Sequence, residues 1–190
     1  KQGKIALIGP LADTRNNIVG TWSVAQAPEK YTTIKEAMEK ALDGKATLLY
    51  AQGSNIWRNH ELQKNGEQGK SIAWGDEVKM KNKALQIAKE ADVIVCAMGE
   101  TADMSGECAS RTNLEMPDVQ QELLAELAKT GKPVVLLNFA GRPTVLSWEK
   151  EHIPAIMNVW FGGSEVGDAL CDVIFGDKVP SGKLTTSMPK

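Results

Sequence analysis

The chain has 190 residues, the length of one domain with a single sizeable core. Hydrophobic residues make up 42% and charged residues 24%, an ordinary balance for a folded protein that argues against disorder. The formal net charge of -2 and a sequence pI near 5.8 leave no basic stripe for a phosphate backbone, which argues against nucleic acid as a partner. No apolar run approaches the ~18 residues of a membrane helix, and no charged-then-apolar N-terminal stretch reads as a signal peptide. The first residue is Lys1 rather than Met, directly before a strand-like run. The reading is a processed chain or an excised piece, with the compartment left open. Cys96, Cys108 and Cys171 are an odd count without a CxxC pair, and His60 and His152 stand far from any matching ligand set. Neither a zinc site nor a disulfide framework is expected.

In chain order, the first apolar run is KIALIG at about 4–9, followed by the helical pattern TTIKEAMEKAL at 32–42. The second run, ATLLYA at 46–51, leads into the polar stretch 54–74, which has no clean period and reads as a long surface connection. A helical pattern at 75–91 precedes the third run, DVIVCAM at 92–98. Another at 117–131 precedes PVVLLNF at 133–139, which passes without a helical pattern into AIMNVWF at 155–161; a last helix is predicted over 164–176. Apolar runs rich in Val, Ile and Leu are the signature of strands covered on both faces, and the intervening segments put Ala, Leu, Ile or Met at three-to-four-residue spacing. Thr32 or Thr33, Asp76, Pro117 and Ser164 suit helix starts, while Gly131 and Gly176 suit helix ends. The order predicts an α/β protein: one domain over 1–190, a three-layer α/β/α sandwich with an open, mainly parallel sheet.

Several motifs fail on inspection. GDKVPSGKL at 176–184 has five residues between its glycines, and Leu184 after Lys183, so it is no phosphate loop. GGSEVGD lacks the second glycine of a nucleophile elbow, because Val166 stands in its place, which disfavours a serine esterase and leaves Ser164 as a helix cap. GPLAD lacks the spaced glycines of a dinucleotide fingerprint. No cofactor is implied.

In an open parallel sheet, ligands bind beyond the carboxyl ends of the strands. Three loops qualify there: Pro10 to Trp22, Gly99 to Pro117, and Ala140 to Pro143. The middle loop is far longer than the ~2–6 residues usual for such a connection, and it carries Glu100 and Glu107 among Gly, Ser and Arg. On composition alone, both acids could equally be solvated surface residues.

Four runs raise the weight on that loop: IGPLADTRNNIVGTWS, ECASRTNLEMPDVQQELLAEL, TGKPVVLLNFAGRP and NVWFGGSEVGDALCDVIFGDKVPSGKLTTSMP. In that order they resemble the C-terminal α/β-sandwich domain of family 3 glycoside hydrolases, most of all that of bacterial periplasmic β-glucosidases. The closing pattern GxxxGDALxDVxFGDxxPSGKL, from Gly163 to Leu184, is the most distinctive part. The resemblance implies a site shared between two domains. An N-terminal barrel of the same protein would supply an aspartate nucleophile, and this domain would lend the general acid/base from a loop. Glu107, in E-C-A-S-R-T, matches the family's E-A-S-S-R-T segment, with Cys108 and Ala109 as small departures. Glu100 matches the G-E that follows the strand and is the weaker candidate.

The same resemblance assigns Trp22 to stacking on the sugar at the entrance, against an alternative as an interface or core aromatic. It offers Arg111 as a substrate-binding or acid-tuning cation, against an alternative as a purely structural ion pair. Asp13 reads as a loop organiser, and Trp160 and Phe161 as core or inter-domain packing. The implied substrate is a β-glucoside or oligosaccharide, the location periplasmic or secreted, and the barrel is needed for activity. The competing expectation is a non-catalytic carbohydrate-binding or interaction module with the same fold. An exposed apolar or aromatic patch left by a missing barrel is expected near the strand ends, where Trp22 and the loop carrying Met104 would sit.

Overall fold

The structure, a computed structural model, describes residues 3–190. Five strands form one sheet: β1 (Gly3–Ile8), β2 (Ala46–Ala51), β3 (Val93–Gly99), β4 (Val134–Phe139) and β5 (Ala155–Asn158). They lie in the order β2-β1-β3-β4-β5, and every neighbouring pair is parallel. The helices are α1 (Ile34–Leu42), α2 (His60–Asn65), α3 (Glu77–Glu90), α4 (Asp118–Ala128), α5 (Ser147–His152) and α6 (Val166–Ile174).

Strand periodicity divides the core in two. Successive side chains of a strand point to opposite faces. Leu7, Val95 and Leu137 pack with Ile34 and Met38 of α1 and Leu170 of α6. Ile8, Ile94, Cys96 and Leu136 pack with Ala84 and Ala88 of α3 and Leu123, Leu124 and Leu127 of α4. The apolar runs are therefore covered on both sides, as their lack of alternation requires, and the three-layer sandwich is the architecture observed.

Helix boundaries follow local chemistry. Thr33 forms a capping box, its hydroxyl accepting from the Glu36 N–H while the Glu36 carboxylate accepts from the Thr33 N–H. Asp76 caps α3 through the Lys79 N–H at 2.9 Å, and Pro117 precedes α4. Gly131 and Gly176 stand just beyond α4 and α6 with positive φ, as helix stops do.

Four details differ from the sequence reading. A helix, α5, lies between β4 and β5. Parallel neighbours need a crossover to bring the chain back, and residues 140–154 supply it; six helical residues are too few to show a period. Within 54–74, α2 is capped by Asn59, and Asn55, Ile56, Gln63 and Ile72 are buried, so the stretch is folded into the body rather than laid over it. Buried Gln63 holds it, accepting from the Ile56 N–H at 2.9 Å and donating to the Ile72 carbonyl at 3.0 Å. The last strand ends at Asn158; Trp160 has a left-handed φ of 57°, and Phe161 packs on the first half of the core. Finally, α6 begins at Val166 with Glu165 as the flanking residue, so Ser164 is not its cap.

Candidate active site

The strand order reverses direction at β1 and β3, whose following connections leave to opposite sides, and this is where doubly wound sheets bind ligands. The loop after β1 and the loop after β3 therefore meet. Gly99, the last residue of β3, has φ +128°, and a Cβ there would lie 2.1 Å from the Phe139 carbonyl oxygen, so only glycine lets the chain turn out of the sheet.

Asn17 joins three loops from a fully buried position. Its side-chain oxygen accepts from the Ala102 N–H at 3.1 Å, and its amide donates to Thr14 Oγ1 at 3.0 Å and to the Gln68 carbonyl at 3.3 Å. The loops after β1, β2 and β3 thus share one side chain.

Glu100 follows β3 directly and is 1% exposed. Its Oε1 accepts from Arg111 Nη1 at 2.6 Å and lies 3.4 Å from Arg142 Nε, while Oε2 accepts from the Gly141 N–H at 3.3 Å. Arg111 also donates to the Glu115 carbonyl at 3.0 Å, and its guanidinium lies over the Trp57 ring, 5.3 Å from the centroid. Arg142 Nη2 donates to the carbonyls of Met104 and Ala109, the latter at 2.7 Å. Thr21 Oγ1 lies 2.6 Å from the Ala102 carbonyl and 2.7 Å from the Ser105 carbonyl, one hydroxyl serving both.

Glu107 stands at the tip that these contacts enclose. It is exposed, between Gly106 and Cys108, both with positive φ. Trp22 is 70% exposed, next in the chain to Thr21, whose side chain touches Gly106, so Trp22 and Glu107 are carried on adjoining loops. Arg111 pairs with Glu100 and not with Glu107. The Met104 side chain is buried, and the exposed large apolar side chains on the neighbouring β1 loop are Trp22 and Val24. Asp13 organises the start of the β1 loop, accepting from Thr33 Oγ1 at 3.0 Å and lying 3.4 Å from Lys35 Nζ.

Asn17, Thr21, Trp57 and Arg142 were not singled out by the sequence reading. Asn17, Thr21 and Arg142 lie within the family-like runs, but nothing in their spacing marks their contacts. A cleft of about 580 Å³ opens between the β2 loop and the far half of the β3 loop, lined by Trp57, Asn59, Leu62, Arg111 and Asn113. Its other cation, Arg58, is tied to Glu77, Asp118 and Glu122. Among the described residues, no group of three His, Cys, Asp or Glu could hold a metal ion, and no helix is long and apolar enough to cross a membrane.

Chemically, the arrangement offers one accessible carboxyl group on a braced tip. Glu107 can give a proton to, or take one from, a group presented from outside the domain. Glu100 cannot attack a sugar, because both oxygens are buried and engaged.

The sequence matches the family profile described as "Glycosyl hydrolase family 3 C-terminal domain" over residues 1–190. It is 39% identical to the periplasmic beta-glucosidase of Salmonella typhimurium over 193 aligned residues, covering 100% of this chain and 25% of that protein. It is 32% identical to a beta-xylosidase of Formosa agariphila, covering 98% of this chain and 24% of that one. The crystal structure of a beta-glucosidase from Listeria innocua in complex with glucose superposes with a TM-score of 0.80 at 26% identity, over 99% of this chain and 23% of that chain. The chain thus spans about a quarter of the length of these relatives. With a profile match along its whole length and a five-stranded parallel sheet matching the solved relatives, the chain belongs to the glycosyl hydrolase family 3 C-terminal domain family.

Proposed function

We propose that this chain is the acid/base-bearing domain of a retaining β-glucosidase, with Glu107 as the general acid/base. The observation that carries the reading is the exposure of Glu107 on a tip whose two ends are held by Arg142, while Glu100 is sequestered and the exposed Glu115 lies beyond the tip. In the first step, the Glu107 carboxyl donates its proton to the glycosidic oxygen as the bond to the anomeric carbon breaks. A carboxylate from a preceding barrel domain attacks that carbon and forms the glycosyl ester. In the second step, Glu107 as carboxylate takes a proton from water, whose oxygen displaces the ester. The two carboxyl groups must stand ~5–5.5 Å apart, so the barrel has to close over the loop ends. Trp22 and Val24 are exposed apolar side chains available to that contact, and Trp22 offers a ring for stacking on the sugar. Arg111 acts on the substrate only indirectly, through the loop it ties to Glu100.

The proposed substrate is a terminal β-linked glucose, in line with the Salmonella and Listeria relatives; the Formosa relative makes β-xylose the competing sugar. The proposed location is the periplasm or the exterior, after the Salmonella relative. The test is to assay purified residues 1–190 and the full-length protein on aryl β-glucoside and aryl β-xyloside. Activity of the full-length protein on the glucoside, with none from residues 1–190, is expected. Ordinary turnover by residues 1–190 overturns the shared site, and a preference for the xyloside overturns the sugar.

A further inference from the structure

Glu107 sits on a tip formed by Ser105, Gly106, Glu107 and Cys108, and the two ends of that tip are tied together by one side chain. Arg142, in the loop after β4, donates from a single terminal nitrogen to the carbonyl of Met104 on one side and to the carbonyl of Ala109 on the other, the latter at 2.7 Å. Buried Glu100 stands beside it as a counter-charge, 3.4 Å from Arg142 Nε without a hydrogen bond, and accepts from the N–H of the neighbouring Gly141. A guanidinium is suited to this because its donors lie in a rigid plane and remain charged at all relevant pH.

Two backbone approaches close the tip from its sides. A Cβ at Gly141 would lie 1.9 Å from Ser105 Oγ and 2.7 Å from Ser105 Cβ, so the β4 loop abuts the tip with no room for a side chain. A Cβ at Gly106 would lie 3.2 Å from three atoms of Thr21, whose hydroxyl already holds the Ser105 carbonyl. The tip is therefore wedged between the loops that follow β1 and β4, and Arg142 pins both of its ends.

We infer that Arg142, with Gly141 and Thr21, is a positioning residue for the acid/base: it sets where the Glu107 carboxyl stands when a glycosidic oxygen arrives from the partner domain. The inference rests on the acid/base role proposed for Glu107. Proton transfer needs the carboxyl within hydrogen-bond reach of the leaving oxygen, and a displacement of ~1 Å from a remote change can cost ~10²-fold in rate. A loosened tip weakens the step that depends on the acid, leaves the acid itself present, and leaves sugar binding by the other domain unchanged.

The test uses the full-length protein with Arg142→Lys, Gly141→Ala and Thr21→Val, and Glu107→Gln alongside. Lysine retains the charge beside Glu100 but loses the planar fork; the alanine adds only a methyl group; the valine replaces the hydroxyl by a methyl group. Any variant that fails to fold, judged by circular dichroism, is set aside, and the others carry the test. The expected result for Arg142→Lys and Gly141→Ala is a loss in kcat on cellobiose of about 10–10²-fold with KM little changed. The loss on a nitrophenyl glucoside should be clearly smaller, and the alkaline limb of the pH profile should remain. Thr21→Val should show the same pattern more weakly. Equal losses on both substrates, or no loss in any folded variant, overturn the positioning role. If Glu107→Gln itself shows no dependence on the leaving group, the acid/base reading fails first, and the two failures are thereby distinguished.

Discussion

Glu100 and Arg111 lie eleven residues apart and meet through a 2.6 Å ion pair that closes the long loop after β3 into a ring. The Glu100 side chain is 1% exposed and that of Arg111 11%, so this is a buried charge pair, with Arg142 as a second cation at 20%. Removing one member of such a set leaves charge buried without compensation. Glu100→Gln is expected to lower the unfolding free energy of residues 1–190 by about 3 kcal/mol, the low end for a broken buried pair, because both arginines keep some contact with water. Urea denaturation measures it, and a change below about 0.5 kcal/mol would mean that the ring is not held by this pair.

Asn17 offers a second check on how the loops are joined. Asn17→Ala leaves the buried Ala102 N–H without an acceptor, at a cost of about 1–3 kcal/mol. Hydrogen exchange at the Ala102 amide should quicken by more than at amides of the central strands. An unchanged rate there would show that the loop after β3 holds itself without Asn17.

The pH dependence of stability should carry a signature from Glu149. Its side chain is buried on α5, and Oε1 has no hydrogen-bond partner among the described residues. Burial raises its pKa above the ordinary carboxylate value and the nearby Glu115 charge adds to this, partly offset by hydrogen bonding from its own backbone and from Gln121. An acid with a raised pKa in the folded state is most favourable to folding below its unfolded value. Its contribution is lost as pH rises through the folded value, where the native state must ionise a buried group. Glu149→Gln should therefore gain in Tm relative to wild type between about pH 4 and about pH 8. A difference in Tm that is the same at both ends would show that Glu149 ionises as freely when folded as when unfolded.

The five strands and the helices α1, α3, α4 and α6 were legible because apolar runs and three-to-four-residue spacing persist over enough residues to be read. The short helices α2 and α5 were not, since six residues make fewer than two turns. Glu107 and Glu100 were both visible as acids in a long loop, and the family resemblance favoured Glu107, but their difference in burial was not legible: Glu100 is drawn inward by arginines from two separate loops, and Glu107 is left outside. The partners of Glu100 and the contacts of Asn17 join residues as much as 85 positions apart, and no local pattern encodes such a meeting.

Whether Glu107 or Glu100 exchanges the proton is tested most directly by the pH dependence and leaving-group dependence of kcat/KM for full-length Glu107→Gln and Glu100→Gln. Loss of the true acid slows substrates with poor leaving groups by about 10²–10⁴-fold, abolishes the alkaline limb of the profile, and allows azide to restore turnover of an activated aryl glucoside by attacking the glycosyl ester. Glu107→Gln is predicted to show all three, with β-glucosyl azide as the product, while Glu100→Gln loses less and keeps its alkaline limb. If Glu100→Gln loses the alkaline limb and is rescued by azide while Glu107→Gln keeps its limb and is not, the proton is carried by the buried carboxyl, and the assignment of Glu107 is contradicted.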